Sequence, residues 1–164
     1  MERERITIGS ATRGADEFRP LWDAVTDHHA GLRTPDANPA MPTWESERKL
    51  LSAALGGGGR GFVVVAERSD ELTGYARVEI RAGGLTIWPP VDRVGTLETL
   101  SVEARVRGEG IGRTLIGAVV SELGARRVPV VFVSLWWENV GARRFYERCG
   151  FRADARGRYR RSCP

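Results

Sequence analysis

Residues 97–115, LETLSVEARVRGEGIGRTL, constrain the fold more than any other stretch of the chain. Gly95 to Val102 reads as a strand, and it runs into a turn with glycines at 108, 110 and 112. The helix that follows shows Ile111, Leu115, Val119 and Leu123 on one face. Such a turn leaves several backbone N–H groups unpaired at the positive end of a helix dipole, a ready site for a pyrophosphate. Glycines let phosphate oxygens approach the main chain.

Two common phosphate loops are excluded by what is missing. A Walker loop needs Lys followed by Ser or Thr after its last glycine, but Arg113 and Thr114 follow Gly112, and Lys49 is the only lysine. A dinucleotide fingerprint starting at Gly108 and Gly110 needs its third glycine at 113, where Arg113 stands.

The remaining elements follow from periodicity and punctuation. Arg5 to Ala11 alternates as an opening strand, and Phe18, Leu21, Trp22 and Val25 recur at helical spacing. Residues 28–42 read as a loop, and Thr43 to Leu55 as a second helix ended by Gly56 to Gly59. Phe62 to Glu67 and Tyr75 to Ile80 are two strands joined by a turn at Asp70 to Gly74. A Gly/Pro-rich excursion, Ala82 to Asp92, precedes the strand already described. Past the central helix come a strand, Val130 to Trp136, and a short helix, Val140 to Cys149, stopped by Gly150. Strands at 151–160 finish the sheet. The order β-α-α-β-β-β-α-β-α-β predicts an α/β fold, a mixed sheet whose central crossover is parallel.

A length of 164 residues suits one domain, 1–164. With 41% hydrophobic and 28% charged residues the composition is that of an ordinary globular protein. No apolar run approaches a membrane span, and the start MERERITIGS lacks the apolar core of a signal peptide, so a cytoplasmic location is expected. Cys149 and Cys163 are too few for a disulfide framework, and with His28 and His29 far from them no zinc site is expected. The formal charge of +4 rests almost wholly on arginine. It fits either a phosphate-bearing partner or an arginine-biased composition.

Two motifs together resemble the GNAT superfamily of N-acetyltransferases. Arg107, Gly110 and Gly112 meet its loop pattern Arg/Gln-x-x-Gly-x-Gly/Ala. Asn139, Ala142, Phe145, Tyr146, Gly150 and Phe151 meet its second signature, Asn-x-x-Ala-x-x-Phe-Tyr-x-x-x-Gly-Phe, with a helix and a strand between the two. The resemblance covers residues 60–152 well and the first 60 by element order. It implies a central, mostly antiparallel sheet with a parallel splayed strand pair, flanked by about four helices.

The resemblance further implies an enzyme that uses acetyl-CoA and no metal, in which an amine attacks the thioester directly. Backbone groups near Leu100 and Val102 would hold the pantetheine like an added strand and polarise the carbonyl, while Arg107, Gly108, Gly110, Ile111, Gly112 and Arg113 would cradle the pyrophosphate. Tyr146 matches the position of the acid that protonates the departing thiolate; its bland alternative is an amphipathic wall residue. An alkylammonium of pKa about 10.4 is only about 0.1% neutral at pH 7, so a base is needed. Glu98 matches that position and alternates with Leu97 and Thr99, which puts it on the opposite strand face from both; a surface salt bridge is its other reading. Asn139 would orient cofactor amides or water, cap its helix, or both.

Arg143 and Arg144 reach toward the 3′-phosphate or form a solvated helix face. His28 and His29, with Asp27 and Asp36 near, belong to the loop that shapes the acceptor pocket or are plain surface residues. Trp88 to Pro90 and Trp136 to Trp137 are pocket walls or core. The cluster Arg152, Arg156, Arg158, Arg160 and Arg161 admits a nucleic-acid patch, but no nucleic-acid or membrane partner is expected. The acceptor is a small-molecule or protein amine, and a homodimer stays open. A catalytically inactive acyl-CoA sensor of the same fold is the alternative.

Overall fold

Seven strands share one sheet in the computed structural model, which describes residues 4–9, 13–32, 42–57, 60–84, 90–136, 138–154 and 158–164. They are β1 (Arg5–Ile8), β2 (Gly61–Arg68), β3 (Glu71–Gly84), β4 (Val91–Val102), β5 (Val130–Val133), β6 (Arg152–Ala153) and β7 (Tyr159–Ser162), in the spatial order β1-β2-β3-β4-β5-β7-β6. Every neighbouring pair is antiparallel except β4–β5, which is parallel. Among the described residues four α-helices cover the sheet: α1 (Arg19–Gly31), α2 (Trp44–Leu55), α3 (Ile111–Ala125) and α4 (Val140–Arg148). The expected architecture, mostly antiparallel with a parallel central pair, is therefore observed.

The sheet is buried on both faces. Phe62, Val64, Ala76 and Val78 point to the α3 side, where Leu115, Val119 and Leu123 pack on them. Val63, Val65 and Tyr75 point the other way, onto Phe18, Leu21 and Leu51. This two-sided cover explains why Phe62–Ala66 reads as a continuous apolar run. Each such buried Leu, Val or Phe adds about 1.5–3 kcal/mol.

Several boundaries differ from expectation: β3 runs to Gly84 and β4 starts at Val91, so the excursion expected over Ala82 to Asp92 is shorter. The β2–β3 turn is only Ser69–Asp70, both in left-handed backbone (φ 51° and 62°), as a two-residue hairpin of that twist requires. A register shift at Ala66/Glu67 leaves Thr73 as the extra residue of β3, so pairing resumes earlier than the sequence suggests. The helix α1 continues to Gly31, which puts His28 and His29 in its last turn and not in a loop. No glycine or proline interrupts the chain between Pro20, in the first turn, and Gly31, so nothing stops the helix sooner. The strand expected over 130–136 ends at Val133, where its neighbour diverges. Asp36, Trp88, Trp137 and Arg156 lie outside the described residues. No described helix is long and apolar enough to cross a membrane.

Candidate active site

The site originates where β4 and β5 part. They pair over three residues only, Gly95–Leu97 against Val131–Val133, while β4 continues to Val102. Glu103 N–H donates to Thr73 O of β3 at 2.9 Å. Main-chain groups alternate along an extended strand, so those of Val102 and Leu100 face the opposite edge, into the gap. In keeping with this, Val102 O accepts from Arg107 Nε at 3.1 Å.

The divergence coincides with a bulge. Arg77 pairs with Thr99 and Val78 with Leu97, leaving Glu98 as the extra residue of β4. This corrects the simple alternation expected from sequence. Leu97 packs on the α3 side, but Glu98 and Thr99 share the other face, where Glu98 meets Arg81 and Thr99 meets Glu47. The Glu98 carboxylate borders a cavity of about 660 Å³.

That cavity is bounded by Trp22, Val25, His28 and His29 of α1, by Glu47 of α2, by Leu97–Val102 of β4, by Val133–Trp136, and by Asn139–Ala142, Phe145 and Tyr146 of the α4 segment. Glu98 forms an ion pair with Arg81 at 2.8 Å, and the same side chain lines the cavity. Burial in the cleft pushes its pKa up, with Glu79 and Glu47 adding to the effect while Arg81 and Arg77 oppose it. Tyr146 is 6% exposed, wedged edge-to-face between the rings of Phe145 (5.1 Å) and Phe151 (5.3 Å). Burial raises the pKa of its phenol, which keeps the proton on the oxygen. Asn139 caps α4 through Oδ1, which accepts from Ala142 N at 3.0 Å, and the residue also borders the cavity.

The glycine turn follows Arg107, which borders the cavity. Gly108 and Gly110 have φ of 89° and 90°, a conformation that excludes other residues at little strain, and open space surrounds their Cα atoms. Gly112 serves a different purpose: its φ is ordinary, but a Cβ there would sit 3.2 Å from the Phe145 ring, so it lets α3 approach α4. No side chain caps the N-terminus of α3. Arg113 is exposed beside it, whereas Ile111 is buried at 4% exposure and can offer a ligand only its main chain.

Other candidates have structural partners. Arg143 is half-buried, close enough to the Tyr159 phenol to lower that group's pKa against the stronger effects that raise it. Arg144 is exposed. Arg158 pairs with Asp154 at 2.9 Å and lies 4.4 Å over the Phe132 ring, Arg161 donates to Cys149 O, and Arg152 donates to Glu147 O and Phe151 O. His29 stacks on Trp136 with 6.3 Å between ring centroids, and burial together with His28 lowers its pKa.

The sequence reading missed the pair that forms the deep wall of the cavity. Arg77 Nε and Nη2 donate to Glu47 Oε1 and Oε2 at 3.0 and 2.9 Å, and Thr99 Oγ1 donates to Glu47 Oε1 at 3.0 Å. Both charged residues are nearly inaccessible, at 2% for Glu47 and 5% for Arg77. A signal was present: Glu47 falls on the same stripe of α2 as Leu51 and Ala54, and Arg77 interrupts an apolar strand between Ala76 and Val78.

A bulged strand splayed from its parallel neighbour, beside a glycine turn at a helix N-terminus, defines an acyltransferase type of fold. The sequence model of the Acetyltransferase (GNAT) family matches residues 22–151, and the chain belongs to that family. No curated protein sequence matches it. Among solved structures, it resembles an acetyltransferase of the GNAT family from Desulfovibrio desulfuricans at 21% identity and a TM-score of 0.72, over 98% of this chain and 99% of the other. It resembles an aminoglycoside N-acetyltransferase in complex with CoA at 17% identity and a TM-score of 0.70, over 93% and 90% of the two chains. A GNAT family acetyltransferase from Brucella melitensis in complex with acetyl-CoA aligns at 18% identity and a TM-score of 0.65, over 99% and 89%. At these identities the likeness is one of fold.

Proposed function

We propose that the protein is an acetyl-CoA-dependent N-acetyltransferase that acetylates a primary amine of a small molecule by direct attack on the thioester. The observation that carries this reading is that Glu98, the bulged residue of β4, lines the same cavity as Tyr146 where β4 leaves its parallel neighbour. Coenzyme A fits three features of that edge: the outward main-chain groups of Leu100 and Val102, the open left-handed turn at Gly108 and Gly110, and the uncapped start of α3. Bound as its acetyl form, it would supply the thioester that is cleaved.

In this reading Leu100 and Val102 amides orient the acyl arm and donate to its carbonyl oxygen, while Arg107, Arg113 and the N–H groups of Gly108 to Gly112 take the phosphates. Glu98, unprotonated above its raised pKa, accepts a proton from the acceptor ammonium. Tyr146, held protonated by burial, donates to the leaving sulfur. Asn139 offers its side-chain amide to the cosubstrate, since Oδ1 is already used in capping. A small amine is favoured over a protein amino group because solved neighbours of the same fold include aminoglycoside acetyltransferases.

The test is thiol release from acetyl-CoA with 1,4-diaminobutane, kanamycin and a lysine-containing peptide, alongside calorimetric titration with coenzyme A. Amine-dependent thiol release supports the enzyme. Thermal stabilisation by acetyl-CoA with no thiol released by any amine would favour an acyl-CoA sensor instead. No measurable binding of coenzyme A would end both readings.

A further inference from the structure

Glu98 is the terminal member of an unbroken run of ion pairs on the cleft face of the sheet. Glu47 Oε2 accepts from Arg77 Nη2 at 2.9 Å, and Arg77 Nη1 donates to Glu79 Oε1 at 3.2 Å. Glu79 Oε2 accepts from Arg81 Nη2 at 2.7 Å, and the same nitrogen donates to Glu98 Oε1 at 2.8 Å. Residues 77, 79 and 81 of β3 share one face by strand period, and Glu98 of β4, on the face opposite Leu97, lies on it together with Thr99.

We propose that Arg81 and Glu79 are positioning residues for Glu98, which hold its carboxylate against the cleft wall and set the pH below which it ceases to accept a proton. The proposal rests on the reading of Glu98 as the base. An isolated, exposed Arg81 would be a weak and wandering partner, since its side chain is 54% exposed. It is not isolated. Arg81 Nε and Nη2 both donate to Glu79 Oε2, at 3.0 and 2.7 Å, and Glu79 is anchored in turn by Arg77, whose side chain is 6% exposed. The guanidinium is thus ordered before it meets Glu98, and the entropy cost of that pair is already met.

Three carboxylates and two guanidiniums leave the run with one net negative charge, and Glu98 is the carboxylate at its open end. The groups that act on Glu98 are Arg81, Glu79 and Arg77 from β3 and Glu47 from α2. His28 and His29 of α1 and Glu138 ahead of α4 line the same cavity. Arg81 favours the charged carboxylate and Glu79 disfavours it, so removing each must act in opposite directions. A merely structural pair would not behave so.

The test is a carbon-13 titration of the full-length protein labelled at glutamate Cδ, with the Glu98 resonance identified by its loss in Glu98→Gln. Arg81→Met is expected to raise the Glu98 midpoint, and Glu79→Gln, which keeps an acceptor oxygen for Arg81, to lower it, each by about half a pH unit. Arg81→Lys should return the midpoint toward the wild-type value. The acid limb of thiol release should move with the midpoints in the same variants. Midpoints that stay fixed, or that move in the same direction, overturn the positioning role whatever the rates do. Opposite midpoint shifts beside an unmoved acid limb overturn the assignment of Glu98 as base, and with it the link to turnover.

Discussion

Removing the Glu47 carboxylate tests whether the cavity's deep wall is an electrostatic construction or simple packing. In Glu47→Ala the Arg77 guanidinium loses two hydrogen bonds, at 3.0 and 2.9 Å, and Thr99 Oγ1 loses its acceptor, all in a site where both charged residues are almost inaccessible. Breaking a buried pair from one side costs about 3–5 kcal/mol, because a charge is left without compensation. Arg77 retains Glu79 at 3.2 Å, which places the expected loss near the lower end, about 3 kcal/mol. For a chain of this size that corresponds to a fall in Tm of roughly 6–12 °C. The double variant Glu47→Leu/Arg77→Met removes both charges and should recover most of the loss. Urea and thermal unfolding followed by circular dichroism measure all three proteins. A single variant within about 1 kcal/mol of wild type, or a double variant less stable than the single, would refute the reasoning.

Other expectations follow from the same geometry. Tyr146→Phe should lower kcat by about 100-fold or more with little change in coenzyme A affinity by calorimetry, since the hydroxyl is lost and the ring contacts with Phe145 and Phe151 remain. Activity should fall on the acid side as Glu98 protonates, with a midpoint above the ordinary carboxylate value of 4.5, and Glu98→Gln should abolish that limb in a pH–rate profile. Gly110→Ala, at φ 90°, should destabilise by about 1–2 kcal/mol and weaken coenzyme A binding, whereas Gly112→Ala should instead displace the Phe145 ring and reduce kcat through its neighbour Tyr146. Burial lowers the pKa of His29 from 6.5, so unfolding takes up a proton there and stability should decline as pH drops below about 6.5; His29→Gln should flatten that decline in urea titrations.

Local chemistry made much of this protein legible in its sequence. The glycine turn with the α3 stripe, the Asn139 cap and the left-handed Gly150 each act within a few residues, so spacing alone located them. The resemblance to the family brought Glu98, Tyr146 and Arg107 forward as candidates, and all three border one cavity. What spacing could not encode was register. The bulge at Glu98 exists only because β3 and β4 pair with one residue to spare, and it decides that Thr99 shares the face of that carboxylate. Glu47 and Arg77 stand 30 residues apart, on a helix and a strand, and each alone looks like a misplaced charge. Only packing α2 against the sheet brings them together and makes two costly buried ions into one compensated pair.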